Sequence, residues 1–210
     1  MTQSLLMSVP TSRQAFAFLG PLRGRTSVFI TPSRRRNSNV ARFLLGCLAA
    51  SRTRTIIFDT SSFYGTNIRK LTESLPKDFL QQSALIAPQE GLVLEESLAE
   101  LLDLKTGAIL IDDLNALHHL LSSDRRNSGI RQLFTFLRLL SYQARINGTS
   151  VLVTLYRAEP DSTPAKHVRR SLSAAADLQV STDDNSGRIT FRCSEVKGWP
   201  NSVFSAPVYF

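Results

Sequence analysis

The sequence predicts an α/β fold in which a mostly parallel, twisted sheet is covered by helices on both faces and ends in an antiparallel hairpin. Four short, largely apolar runs alternate with amphipathic helical segments, which is the pattern of parallel strands buried on both faces. From Asp177 onward, polar and apolar residues instead alternate on either side of the turn-forming stretch 183–187, as they do in a hairpin. At 210 residues with a hydrophobic content of 42%, the chain is long enough to bury the core of one such domain.

The first predicted elements lie in the N-terminal quarter of the chain. Residues 1–18 are rich in Ser and Thr and show no clear hydrophobic period, so we expect a flexible or partner-docking arm before a core domain of residues 19–210. Ser27–Ile30 is predicted as the first core strand. Val40–Ala50 is predicted as a helix, because its apolar residues recur at intervals of three and four residues along one face.

The middle of the chain continues this alternation. Thr55–Phe58 and Ala108–Ile111 are continuous apolar runs, each followed by an aspartate, and they are predicted as strands buried on both faces. Ile130–Arg145 is predicted as a long helix with a core-facing apolar stripe. The remaining predicted elements are the helices Asn67–Leu75 and Leu92–Leu104 and the strands Leu85–Ala87 and Val151–Thr154.

Charge and composition limit the kinds of partner. The formal net charge of +8 favours a polyanion, either nucleic acid or an acidic protein surface. No apolar run approaches the ~18 residues of a spanning helix, and the N-terminus lacks the pattern of a secretory signal. We therefore expect an intracellular protein without a membrane role, located in the nucleus if the source is a eukaryote. Cys47 and Cys193 have no metal-ligand spacing and are predicted to be buried thiols.

The segment between the first predicted strand and helix has the position of a phosphate-binding loop and little of its chemistry. The pattern G-x-x-x-x-G-K-[ST] wraps phosphates with backbone N–H groups and neutralises them with Lys. Its eight positions fall on Thr31 to Ser38, and only Ser38 matches. Thr31 and Arg36 replace the glycines, Asn37 replaces the Lys, and Pro32 lacks a backbone donor. We therefore expect at most a vestigial nucleotide site.

Three further stretches carry a resemblance to a known family. Residues 59–63, DTSSF, follow the second strand; residues 108–112, AILID, form an apolar strand ending in aspartate; and residues 130–157 have the pattern of a long helix, a turn and a strand. Together with the degenerate loop they resemble the RecA-like recombinases, in particular the branch of archaeal RadA, the eukaryotic recombinases and their paralogues. The resemblance covers roughly residues 19–208.

The resemblance implies where ATP chemistry lies in an active relative. In the family, D-T-E-G-T-F follows the second strand and its Glu orients the attacking water. Ser61 occupies that position here, and a hydroxyl cannot replace a carboxylate base. The aspartate that ends the second phosphate-site motif holds the water shell of Mg²⁺, and its counterpart is Asp112. On the residues alone, Asp112 could equally cap the next segment or pair with an arginine.

The resemblance also places two DNA-binding loops on either side of the unit 130–157. The basic residues of these loops would contact the phosphate backbone, whereas on charge alone a solvated surface is the competing interpretation. The candidate DNA-binding residues are Arg125 and Arg126 in Ser122–Gly129, and Arg157, Lys166, His167, Arg169 and Arg170 in Tyr156–Leu172.

Two departures from the family concern assembly. The helical N-terminal DNA-binding domain of full recombinases has no counterpart in these 210 residues. The linker Phe-x-x-Ala, by which one subunit docks on the next, is echoed only by residues 15–18, AFAF. Phe16 and Phe18 are therefore the candidate partner-binding residues. We do not expect an unlimited filament of this chain alone, and we expect a heterodimer with a second RecA-like paralogue.

These observations lead to the hypothesis of a catalytically inactive recombinase paralogue, a pseudo-ATPase accessory subunit. With its partner it would bind single-stranded DNA, directly or through the complex, and stabilise or remodel recombinase filaments in homologous recombination repair. No cofactor is expected in this chain, and ATP and Mg²⁺ at the shared interface would be supplied by the partner. Two alternatives stay open: a weak ATPase in which residues 34–36, all Arg, replace the missing Lys, and a RecA-like scaffold subunit of an RNA-related complex of the Elongator type.

Overall fold

The computed structural model describes residues 10–62, 64–66, 69, 75–88, 92–103, 105–122, 128–156, 175–185, 188–194 and 203–207. Within these ranges, one eight-stranded sheet is accompanied by helices. The strands are β1 (Thr26–Thr31), β2 (Thr55–Asp59), β3 (Ala84–Ile86), β4 (Ala108–Asp112), β5 (Ser150–Tyr156), β6 (Leu178–Asn185), β7 (Arg188–Ser194) and β8 (Val203–Pro207). The helices are α1 (Ser12–Leu19), α2 (Arg34–Ala50), α3 (Lys77–Gln82), α4 (Leu92–Asp103), α5 (Leu114–Ser122) and α6 (Ser128–Asn147).

The sheet has the strand order β3-β2-β4-β5-β1-β6-β7-β8. All neighbours from β3 to β6 pair in parallel, whereas β7 is antiparallel to both β6 and β8. The predicted fold class, a mostly parallel sheet with an antiparallel C-terminal hairpin, is thereby confirmed. In such a sheet the carboxyl ends of the parallel strands share one edge and their amino ends share the opposite edge.

The core is split between the two faces of the sheet because successive strand residues point to opposite sides. Phe29 of β1 belongs to a buried cluster with residues of α1 and α2. The preceding residue, Val28, belongs to a second cluster with residues of α4, α5 and α6. Every residue of β2 and β4 is buried, which explains why, apart from the buried Thr55, these strands have no polar residue until their final aspartates.

The N-terminal segment differs from the prediction of an arm through residue 18, because residues 12–19 form helix α1 and pack on the core. Thr11 caps this helix: its Oγ1 accepts a hydrogen bond from the backbone N–H of Gln14 at 3.3 Å, and the Gln14 side chain bonds back. Ala15, Phe18 and Leu19 are buried at the spacing of one helical face. The helix forms because its short apolar stripe finds core partners that lie far away in the sequence.

Phe18 is the main contact of α1 with that core. Its ring centroid lies 5.1 Å from that of Phe43 on α2 and 5.0 Å from that of Phe191 on β7. A third ring, Phe29 on β1, lies at 6.2 Å. Aromatic pairs at these distances contribute stability beyond the area they bury. The core domain therefore extends to α1.

The other predicted elements that fall within the described residues are present with shifted ends, whereas α3 and α5 were not predicted. The largest shift is at α2, which begins at Arg34, six positions before the predicted start at Val40. The predicted helix Asn67–Leu75 lies largely outside the described residues. Cys47 is buried as predicted, and burial raises its pKa to about 12. Among the described helices, none has the length and apolar content needed to cross a membrane.

Candidate functional site

The connection between β1 and α2 is much shorter than the loop that the sequence suggests. β1 ends at Thr31 and α2 begins at Arg34, so Pro32 and Ser33 are the whole connection. Thr31 is buried, and its Oγ1 donates to the carbonyl of Ser33 at 3.1 Å. Three of the predicted vestigial loop positions lie in the first turns of α2, namely Arg36, Asn37 and Ser38. Their side chains are not among those that the structure describes.

The two aspartates that end β2 and β4 meet at the carboxyl edge of the sheet. Asp59 and Asp112 are register partners on adjacent parallel strands, and each is only 2% exposed. Each carboxylate belongs to the last residue of its strand, because the buried apolar run ends where the chain turns back over the sheet. The position predicted for Asp112 from sequence, at the end of a buried strand, is the one observed.

Asp112 is held by hydroxyl groups from two neighbouring segments. Thr154 Oγ1 on β5 donates to its Oδ1, and Ser61 Oγ donates to its Oδ2 at 3.2 Å. The backbone N–H groups of Thr60 and Ser61 donate to the Asp112 carbonyl at 2.8 and 3.1 Å. Ser61, which the sequence resemblance aligned with a catalytic Glu, is therefore a hydrogen-bond donor to Asp112.

Burial raises the pKa of Asp112 to about 6, well above its usual value near 3.8. The hydrogen bonds from Thr154 and Ser61 lower the pKa, and the nearby charges of Asp113 and Asp59 raise it. A carboxyl group in these surroundings favours its neutral form more than an exposed one does. Within the described ranges, no three His, Cys, Asp or Glu residues are arranged to hold a metal ion.

Asp113 has a separate structural role, at the start of α5. Its Oδ1 accepts from the backbone N–H of Ala116 at 2.7 Å, which is the geometry of a helix N-cap. Its carbonyl accepts from the Thr60 hydroxyl at 2.7 Å. The cap that the sequence allowed for Asp112 is thus provided by the next residue, and Asp112 itself bonds to hydroxyl groups.

Tyr64 occupies the space between α2 and these carboxylates. Its side chain is 1% exposed and belongs to the core cluster on the α2 face. Burial raises its pKa well above the usual value, Asp112 and Asp59 raise it further, and Arg42 of α2 lowers it. Next to Tyr64, the Gly65 N–H donates to Asp59 Oδ2 at 2.8 Å. No sequence motif pointed to Tyr64 or Arg42; a tyrosine soon after DTSSF was the only available signal.

The predicted DNA-binding residues lie outside the described residues, although the elements that flank them are described. Arg125 and Arg126 fall between α5 and α6, and the other five candidates follow the end of β5. β5 ends at the carboxyl edge of the sheet, beside the end of β4. The remaining candidates are Arg157, Lys166, His167, Arg169 and Arg170.

The two predicted partner-binding residues have different environments. Phe16 is 63% exposed on α1, whereas Phe18 is 9% exposed and packed in the aromatic cluster. Phe18 is therefore a core residue in this structure, and Phe16 alone is available to a partner. Sequence reasoning missed a second exposed apolar surface on α6, formed at one helical spacing by Leu139, Tyr142 and Ile146.

The sheet order, the helices on both faces and the paired aspartates at the carboxyl edge define a RecA-like α/β fold. The chain is similar to the crystal structure of the RadB recombinase, with a TM-score of 0.64 over 87% of this chain and 86% of that one. The two sequences are 15% identical, so the likeness shows a shared fold and nothing more. No protein-family model matches the sequence, and no curated protein matches it either.

Proposed function

We propose that this chain is a non-catalytic recombinase paralogue, an accessory subunit that pairs with a second RecA-like protein and stabilises or remodels recombinase filaments on single-stranded DNA. The observation that carries the proposal is the carboxyl edge of the sheet, where the groups that would serve ATP hydrolysis are bonded to one another. Ser61 in the place of a catalytic Glu donates its hydroxyl to Asp112.

Each requirement of phosphoryl transfer meets a specific obstacle. A phosphate loop needs several consecutive backbone N–H donors, and the connection from β1 to α2 has two residues, of which Pro32 has no N–H. A lysine is needed on the phosphates, and Asn37 stands in its place. A Mg²⁺ site needs a carboxylate whose oxygens face the ion, and both oxygens of Asp112 accept hydrogen bonds from Thr154 and Ser61. These obstacles support an ATP-independent role.

A partner is supported by exposed apolar side chains. Phe16 on α1 and Tyr142 on α6 are 63% and 62% exposed. Tyr142 belongs to the exposed apolar group on α6 with Leu139 and Ile146, and such a group marks an interaction surface. In the proposed heterodimer, any ATP and Mg²⁺ at the interface come from the partner.

Nucleotide binding by isothermal calorimetry tests the first half of the proposal. The full chain is expected to show no saturable binding of ATP with Mg²⁺ at micromolar concentration. The double variant Arg36→Gly, Asn37→Lys is expected to remain without turnover, because Ser61 still supplies no carboxylate base. Saturable binding by the wild type would favour a weak ATPase that uses the arginines at the start of α2.

DNA binding through the predicted loops tests the second half. Replacing Arg125 and Arg126, or Lys166, Arg169 and Arg170, by Ala is expected to lower the salt dependence of single-strand binding by about 0.7 per lost phosphate contact. The free energy of unfolding is expected to stay within ~0.5 kcal/mol of the wild type per substitution. Loss of the partner with unchanged salt dependence would assign these residues to a protein interface.

Affinity purification of the full chain identifies the partner. A RecA-like protein that copurifies in stoichiometric amount supports the proposal. Copurification of a tRNA-binding assembly would instead favour the scaffold role in an RNA-related complex.

A further inference from the structure

The amino edge of the sheet collects basic residues from separate segments. The parallel strands begin at this edge, and the residues just before β1, β2 and β4 include arginines and a lysine. The acidic residue before β6 is Asp177. It forms an ion pair with the Arg145 side chain and accepts a hydrogen bond from Ser141 Oγ at 3.0 Å. Asp103 ends α4 at the same edge. We define the basic edge as Arg23, Arg52, Arg54 and Lys105.

These basic residues lie along one connected surface. Arg54 and Lys105 line a single open depression of about 300 Å³ together with Thr106, Gly107 and Asn147. Gly148 follows Asn147, and a Cβ atom placed on Gly148 would lie 3.9 Å from the Nε atom of Arg23. The surface therefore runs from Arg23 past the end of α6 to the depression.

The floor of the depression is held by hydrogen bonds of its own. The carbonyl of Arg54 accepts from the N–H groups of Gly107 and Ala108, each at 3.1 Å, and from Thr106 Oγ1 at 2.8 Å. Thr149 Oγ1 donates to the Thr106 carbonyl at 2.7 Å. These bonds fix the backbone at Arg54 relative to residues 106–108, which directly follow Lys105, and both basic residues line the same depression.

The ordinary role of basic residues near helix C-termini is to bond the last carbonyl groups. At α2 that role is already filled, because the backbone N–H groups of Ser51, Arg52 and Thr53 donate to the carbonyls of the last turn, each at 3.0 Å. The side chains of the basic edge are exposed, and none of them makes an ion pair or hydrogen bond with the described part of the chain. Their charge is available to an external anion.

We propose that the basic edge binds the phosphodiester backbone of a nucleic acid, as a contact separate from the predicted DNA-binding loops. Its lining offers charge and hydrogen bonds and no apolar side chain, which suits hydrated phosphates. The lining has no aromatic or aliphatic side chain of the kind that commonly anchors a protein partner. The seven residues of β5 place the two edges roughly 23 Å apart, so each edge makes its own contact. The proposal does not depend on the recombinase role.

Salt titration of nucleic-acid binding tests the proposal. The full chain is titrated against a labelled oligothymidine by fluorescence anisotropy at several salt concentrations, as wild type and as Arg54→Ala, Lys105→Ala. The slope of log affinity against log salt is expected to fall by about 1.4 for two lost contacts with a single strand. The control is Lys77→Ala, Arg138→Ala, which removes the same charge from exposed positions on α3 and α6 and is expected to keep the wild-type slope.

Further arms identify the ligand. Single-stranded RNA should show the same change as single-stranded DNA, and duplex DNA a change of about 1.8, because a phosphate contact does not read the base. An unchanged slope in the basic-edge variant, or no binding by the wild type, overturns the proposal. If the basic-edge variant keeps the wild-type salt slope and no longer binds a copurifying protein, the proposal is overturned and the partner of this edge is an acidic protein. If loop variants keep the wild-type slope and the basic-edge variant does not, the recombinase-loop model fails and this proposal stands.

Discussion

The two edges of the sheet differ in how they treat charge. At the carboxyl edge, Asp59 and Asp112 are buried and their oxygens are occupied by groups of the same chain. At the amino edge, Arg54 and Lys105 are exposed around an open depression. Ligands of open α/β sheets ordinarily bind at the carboxyl edge. In the described part of the chain, the carboxyl-edge aspartates bond to groups of the same chain, and the exposed charges of Arg54 and Lys105 lie at the opposite edge.

This difference shows that burial and local hydrogen-bond partners decide whether a charged residue bonds within the chain or is accessible to a ligand. A buried carboxylate is retained only when hydrogen bonds or a changed protonation state compensate for lost hydration. An exposed guanidinium bears no such cost and contributes little to stability. Substitutions at the two edges should therefore have opposite consequences for stability and for binding.

The largest effect is expected for Asp112→Ala at pH 5. The substitution leaves the hydroxyl groups of Thr154 and Ser61 without their acceptor in a buried site, which should cost about 3 kcal/mol of unfolding free energy. Urea unfolding measures it. Asp78→Ala, at an exposed position on α3, is the control and should change stability by less than ~0.5 kcal/mol. A neutral Asp112→Ala variant would mean that the carboxyl edge is not a structural network.

A smaller effect, with a characteristic pH dependence, is expected for Asp112→Asn. The pKa of Asp112 is about 6 in the folded chain and near 3.9 when unfolded, so the folded state binds more protons between these values. Wild-type stability should therefore fall by roughly 2–3 kcal/mol as pH rises from 4 to 7. Asparagine stays neutral, so the variant should lack this part of the pH dependence and be the more stable protein at pH 7.

Urea unfolding of both proteins between pH 4 and pH 8 measures the difference. The Asn side chain can still accept from Thr154, and its amide can donate to the Ser61 hydroxyl oxygen. If Asp112→Asn were instead less stable than wild type at pH 7, the carboxylate would be needed in its charged form. That result would break the contrast between the edges and favour a cation at Asp112.

The smallest effect on stability is expected at the amino edge. Arg54→Ala with Lys105→Ala should leave the unfolding free energy within about 1 kcal/mol of wild type, because exposed positions contribute little. The same protein sample is used for the salt titration, so a reduced slope of log affinity against log salt cannot be attributed to unfolding of the variant. A loss of several kcal/mol would show that these residues support the fold, and the two edges would then be alike.

Much of the fold was predictable because it depends on local patterns. Runs such as Ile56–Phe58 and Ala108–Ile111 are apolar at every position, which is typical of a strand buried on both faces. The alternation in residues 178–194 likewise predicted the hairpin. The helix α1 was missed because its three buried residues make a weak pattern alone, and its stabilising contacts come from Phe29, Phe43 and Phe191.

The sequence by itself determined the strands, the helices α2, α4 and α6, the order in which these elements alternate and the aspartates that end β2 and β4, since each of these depends on neighbouring residues. Only the tertiary structure decided what those aspartates do. Thr154 is 42 residues from Asp112 and Ser61 is 51 residues away, and both reach it because β2, β4 and β5 lie side by side. The basic edge also arises from the tertiary structure. The parallel strands bring the residues that precede β1, β2 and β4 to one edge of the sheet, and no local sequence pattern indicates that these residues lie together.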